Sequence, residues 1–359
     1  MRPGAADRHQ KVTAMPKPDV PSKPPTMRDV ARLAGVSQPT VSRVLNYAPS
    51  TVPVSKETRE KVFAAVKALG YRPNMTARSL RTQHTQMIAL MIADISNAFY
   101  HPIVRVVQDM AREHGYDVIV ANTDHRFDNE RHFLEAVRRR PVDGVIMVPI
   151  HLTDEDIDHF IRVTQTPVVV IGIQIKHPQV DVVWADDEKA TYEAVRWLVT
   201  ERGYGQVGFV GVQEMYPPGP RRWNGYRRAM EEAGIRIDPD FVWFDGDFTL
   251  ESGRLAAQQL LQRRNWPPVL FVANDLMAIG MILELQAAGY NVPDDIAIMG
   301  FDDVPEATII RPNLTTIAQT PAEIGQKLAT ALFDRIEGRE TGVKRIFECP
   351  CHVVPRQSA

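Results

Sequence analysis

Two hydrophobic rhythms divide the chain. Between Thr26 and Leu69 apolar residues recur every three or four positions, and from Met87 onward short apolar runs alternate with amphipathic stretches. The helical period places Met27, Val30, Ala31 and Ala34 on one face of a first helix. Thr26 with Asp29 three residues on has the form of a capping box, and Gly35 is suited to end the helix in the left-handed conformation. Ser37 is the next N-cap. Pro39 falls in the first turn of the helix it opens, where a missing N–H costs nothing, and Val41, Val44 and Leu45 form the buried face. Gln38, Thr40, Ser42 and Arg43 then point outward. A third helix follows Ser55, with Val62, Phe63, Val66 and Leu69 as its apolar face. Two short helices joined by a tight Gly-containing turn are a helix-turn-helix.

The runs MIALMIA, YDVIVAN, GVIMVPI, PVVVIGI, QVGFVG, VLFVAND and DIAIMGFDD read as strands. Helical patterns such as HPIVRVVQDMAREHG, EKATYEAVRWLVTERG and RRWNGYRRAMEEAG separate them. Apolar strands alternating with helices indicate parallel sheets covered on both faces. The elements are too many for one typical sheet, so two similar lobes are expected. The predicted fold is an all-α helix-turn-helix domain followed by a two-lobed α/β domain with parallel sheets. Ligands in such folds sit beyond the C-terminal ends of strands, here the cleft between lobes.

Composition narrows the class. With 359 residues, 44% hydrophobic and 24% charged, the chain is expected to be a soluble protein of two or three compact units. No apolar run approaches the roughly 18 residues of a membrane span. Residues 1–25 are rich in Pro, Ala, Lys and Asp and lack the apolar core of a secretory signal; they read as a disordered tail on a cytoplasmic protein. Residues 1–85 hold 15 Lys and Arg against 5 Asp and Glu, and the remainder 27 against 39. One end is therefore suited to a polyanion and the other is not. The two cysteines, Cys349 and Cys351, are too few for a zinc site and too close for a good disulfide. Spacing supports no Ser–His–Asp set, no phosphate-cradling Gly loop with Lys and no metal-binding His pair, so catalytic residues, metal and cofactor are not expected.

The stretch DVARLAGVSQPTVSRVLN, with the later RPNMTARSL, resembles the signature and hinge helix of the LacI/GalR (lactose-repressor) family of bacterial transcription regulators. The resemblance implies that Gln38, Pro39 and Arg43 read the major groove. The chemistry agrees: Arg pairs bidentately with guanine and Gln with adenine, whereas Pro39 offers only apolar contact. Ser37, Thr40 and Ser42 suit phosphates, which set register but not sequence. Thr26, Asn46 and Asn74 join this DNA-binding set. In the hinge, Leu80 is the implied wedge between base pairs, with Arg78 and Arg81 on phosphates. The expected domains are the 1–25 tail, a 26–71 DNA reader, a 72–85 hinge and an 86–359 effector domain. Its lobes are expected at 86–185 plus 315–338 and at 186–314 plus 339–359.

GDFTLESG, FVANDLMAIG, GFDD and LTTIAQ resemble successive landmarks of that family's effector domain, a fold shared with periplasmic binding proteins. By this resemblance Arg222, Asn274 and Asp302 hydrogen-bond an effector and Phe248 packs on it. Phe99 and Tyr100 follow the first strand and are placed to stack on a ligand ring, and Gln319 completes the set. Asp275 is expected to cap the helix that follows it. Two departures remove polar groups: Gly172 stands where many members have Asp, and Pro217, Pro218 and Gly219 stand where Ser or Thr is usual. The implied partners are a near-palindromic double-stranded operator, a second copy of the chain and a small effector, first of all a sugar. A protein partner or a non-sugar ligand is the alternative. A solute-binding protein would require an export signal and no DNA reader.

Overall fold

The structure, a computed structural model, describes residues 24–45, 54–72 and 84–359. They belong to two compact units, Met1–Thr82 and Gln83–Ala359.

The described residues of the smaller unit pack three helices around one apolar centre. Helix α1 (Met27–Ala34) opens on a capping box, in which Thr26 accepts from the Asp29 N–H and Asp29 accepts from the Thr26 N–H at 3.0 Å. It closes at Gly35, whose φ of +65° suits glycine. At the start of α2 (Gln38–Leu45) the Ser37 hydroxyl accepts from the Thr40 N–H. Ser55 caps α3 (Lys56–Leu69) in the same way through Thr58. Val30, Ala34, Val41, Val44, Val62 and Ala65 form the core, closed by Tyr71. Phe63, expected on the buried face, is 41% exposed. One residue beyond Val62 on the helix, it is turned away from the stripe, and the small Ala65 takes the inward place.

The larger unit begins with β1 (Met87–Ile92), α4 (Tyr100–Glu113), β2 (Asp117–Asn122), α5 (Phe127–Arg139), β3 (Gly144–Met147), α6 (Asp154–Thr164), β4 (Val168–Ile171) and β5 (Asp181–Ala185). The alternation continues through α7 (Asp187–Thr200), β6 (Gly208–Val212), α8 (Pro218–Glu232), β7 (Val242–Gly246), α9 (Leu250–Leu261), β8 (Val269–Val272), α10 (Asp275–Ala287) and β9 (Ala297–Met299). It ends with β10 (Thr316–Ala318), α11 (Pro321–Ile336), β11 (Ile346–Cys349) and β12 (His352–Val354).

Two parallel sheets result, ordered β11-β5-β4-β3-β1-β2 and β7-β6-β8-β9. Each central strand feeds two cores. In β1, Ile88, Leu90 and Ile92 face one helical layer, and Ala89 and Met91 the other. Such strands read as unbroken apolar runs because both faces are covered. Strands β10 and β12 form an antiparallel ribbon bridged to the second sheet at Met299–Thr315 and Asp302–Ala318.

The lobes divide differently from the expected boundaries. Residues 315–318 belong with the second sheet, not the first, and β11 pairs with β5 of the first sheet, not the second. The chain therefore crosses between lobes near 186, 319 and 350. An ion cluster accompanies the placement of β11. Asp181, fully buried at the start of β5, receives Arg335 at 2.6 Å from the end of α11 and Arg345 at 2.8 Å from the lead into β11. The two pairs tie the end of α11 and the lead into β11 to the start of β5.

Candidate functional site

On α2 one face is buried and the other is open to solvent. Val41 and Val44 are buried, Ser37, Gln38, Pro39 and Arg43 are exposed, and Thr40 and Ser42 are half-buried. Thr26 is exposed at the start of α1, with its hydroxyl committed to Asp29 at 2.7 Å. Asn46, Asn74, Arg78 and Leu80 lie outside the described residues.

The second candidate site is the cleft between the lobes, with a free volume of about 100 Å³. Its walls are the segments that follow strands. Phe99 and Tyr100 come after β1, Ile150 after β3, and Trp184 is the last residue but one of β5. From the second lobe come Arg222 on α8, Phe248 after β7 and Asp302 after β9, with Gln319 at a crossover. Six of the seven residues expected to meet an effector line this one space. Asn274 does not. Its Oδ1 accepts from the Met277 N–H at 2.9 Å and its Nδ2 donates to the Phe248 carbonyl at 3.0 Å, so both ends of its amide are committed. Asn274 is thus the N-cap of α10, the part expected of Asp275. Asp275 instead accepts from the Thr316 hydroxyl and the Val304 N–H, which ties the Asp302 loop to β10. A wider open groove of about 870 Å³ lies at the opposite ends of β1, β3 and β4, and none of the expected residues reaches it.

Charge in the cleft is buried and paired. Arg222 is 4% exposed; its guanidinium lies 3.7 Å from the centre of the Phe301 ring, donates to the Ala273 carbonyl and stands 3.9 Å from Asp302. Arg221 meets Asp187 at 2.8 Å, and Gln319 donates to Asp302 at 2.7 Å. Burial pushes the Asp302 carboxyl up to about 6, although Arg222 and Gln319 pull it down. Burial likewise raises the Tyr100 hydroxyl and lowers His125, so both stay neutral near pH 7. Three residues at the cleft hold positive φ without being glycine: His125 at +54°, Phe248 at +69° and Asp302 at +120°. Such backbone costs about 1–3 kcal/mol per residue and gathers at functional sites. Beside the charged cluster, burial pushes the free Cys351 thiol up to about 12, which leaves it unreactive.

The small unit and the cleft together match known proteins. Residues 26–74 match the family described as bacterial regulatory proteins, lacI family, and residues 198–359 the periplasmic binding protein-like domain. The chain is 36% identical over 334 residues to catabolite control protein A of Priestia megaterium, covering 93% of this chain and 98% of that protein. The chain belongs to the LacI family.

The HTH-type transcriptional repressor PurR of Aliivibrio salmonicida (strain LFI1238) is 32% identical, over 93% of this chain and 98% of its own. Among solved structures, the Lac repressor bound to ONPG matches with a TM-score of 0.81 at 27% identity, over 94% of this chain and all of that one. A complex of the transcriptional regulator CelR with cellobiose matches with a TM-score of 0.69 at 31% identity, over 93% of this chain and all of that one. This LacI-family protein is a DNA-binding transcriptional regulator, and its relatives are regulators rather than enzymes. Among its described residues no helix is long and apolar enough to cross a membrane.

Sequence reasoning missed several residues of this LacI-family cleft. Arg221, Asp187, Trp184 and His125 line it, and no motif marks them. Glu130, fully buried on α5, accepts the backbone N–H groups of Ile150, His151 and Leu152 at 2.9 to 3.1 Å. It fixes the loop that puts Ile150 in the wall. The one available signal was a glutamate amid the apolar face of a helix.

Proposed function

We propose that this LacI-family regulator is a dimeric repressor of metabolic genes, acting in the cytoplasm on a near-palindromic operator. Its operator affinity is set by a small polar ring compound, first of all a sugar, held between the lobes. The observation that carries this reading is the buried Arg222–Asp302 pair, in a cleft that Phe99, Phe248 and Trp184 also line. An arginine and a carboxylate suit a hydroxyl-rich edge, and aromatic rings suit an apolar ring face. Similar chains lend support: solved structures hold cellobiose and ribose, and one shows the Lac repressor dimer bound to operator and an anti-inducer.

On the DNA side, Arg43 and Gln38 supply base contacts, and Ser37, Thr40 and Ser42 position the helix on phosphates. Thr26, Asn46, Asn74 and Arg78 support them, and Leu80 wedges the centre of the operator. Asp143 accepts from the backbone N–H groups of Thr85 and Gln86, so the end of the linker is held by the first lobe. A change in lobe angle is passed to the linker through that anchor. The effector acts only by its difference in affinity for the two lobe arrangements. A thermal-shift screen of sugars and related metabolites tests the reading: a stabilising compound is expected, and Arg222→Ala or Asp302→Ala abolishes its effect. A response that survives both changes refutes the cleft as the effector site.

A further inference from the structure

Gly172 follows β4 with a φ of +124°, in the region that favours glycine. A Cβ built there would clash with the Gln174 carboxamide, lying 2.8 Å from its Cδ and closer still to Oε1. The Gln174 side chain therefore fills the space that a side chain at 172 would take. Its carboxamide has a defined orientation. Nε2 lies 2.9 Å from the Pro149 carbonyl oxygen, which only accepts, so the NH2 faces Pro149 and Oε1 points away. Among the described residues Oε1 is buried without a hydrogen-bond partner, and Gln174 lines the cleft. A buried acceptor left unsatisfied is disfavoured until a donor reaches it.

The surroundings specify that donor. The four charged lining residues, Asp187, Arg221, Arg222 and Asp302, all belong to the second lobe. The first-lobe wall is apolar and aromatic, apart from a few neutral polar groups. A hydroxyl or amide N–H fits such a wall; an ammonium group would be desolvated there without a counter-charge.

We propose that Gln174 is a specificity-determining residue for the effector, its carboxamide oxygen accepting a hydrogen bond from a neutral ring hydroxyl or N–H. Resting on the cleft reading above, this makes Gly172 a requirement for Gln174 rather than a lost contact.

The test is titration calorimetry on the full chain with D-glucose, D-ribose, cellobiose and their mono-deoxy analogues. Gln174→Met keeps the bulk but removes both the acceptor and the donor to the Pro149 carbonyl, so its unliganded melting temperature is measured in parallel. The best probe should bind this variant about tenfold more weakly, the worth of one hydrogen bond. One deoxy analogue should bind wild type and variant alike, because the ligand's donor and the protein's acceptor act as a pair. A purely structural role would not produce that equality. If Arg222→Ala abolishes binding while Gln174→Met does not weaken it, the cleft reading stands and the role of Gln174 is overturned. If wild type binds none of the probes, both fall.

Discussion

The Arg222 guanidinium stands 3.9 Å from the Asp302 carboxylate, with both side chains less than a tenth exposed. Removing one member of such a pair strands the other in a low-dielectric interior. Arg222→Ala is therefore expected to cost about 3 kcal/mol in urea unfolding as well as the effector response. A variant with unchanged stability would show that the pair carries little energy.

The pH profile follows from Asp302. Its carboxyl titrates at about 6 in the folded chain and near 3.9 when unfolded. The folded state holds the proton more tightly, so this residue's contribution to stability is full below about pH 4 and is lost as pH rises through 6. The ionised, hydroxyl-accepting form grows over the same interval. Effector affinity should rise from pH 5 to 7 by calorimetry, and Asp302→Asn should flatten the profile. A flat profile in wild type contradicts the assignment.

Asp181 shows the opposite sign. Burial pushes its carboxyl up, but hydrogen bonds from Arg335 and Arg345 outweigh that and hold it below the usual range. Its stabilising contribution is present above about pH 4 and is lost as pH falls through the lower folded value. Asp181→Asn should cost about 3 kcal/mol at pH 7. The gap to wild type in denaturant melts should narrow towards pH 3.

Leu80 belongs to the hinge segment RPNMTARSL. If it wedges between base pairs, Leu80→Ala should reduce operator bending in circular-permutation gel assays while leaving the preferred bases unchanged. Bending equal to wild type would remove the wedge.

The sequence carried the repeating signals best. The 3.6-residue period of α1 and α2, with Thr26 and Gly35 as punctuation, located the DNA reader because caps and stripes are local. The long apolar strands were equally legible, since burial on both faces leaves an unbroken run. Strands β5 and β7 were not read from DVVWA and VWFDG, and the partner that lets β5 open on a charge, Asp181, lies about 150 residues away in Arg335. The same limit governed the cleft. Arg222, Phe248 and Asp302 sit in recognisable motifs, whereas Gln174 and Glu130 act through carbonyl and N–H groups that only the fold brings to them.

The most direct measurement is selection of duplexes from a random DNA library by the full-length chain, with Arg43→Ala in parallel. The account predicts that wild type enriches a near-palindrome with two half-sites. Arg43→Ala should lose the preference at one base of each half-site, costing about 1–3 kcal/mol there, while keeping salt-dependent binding. Failure of wild type to enrich any sequence, or an identical motif from Arg43→Ala, would contradict it.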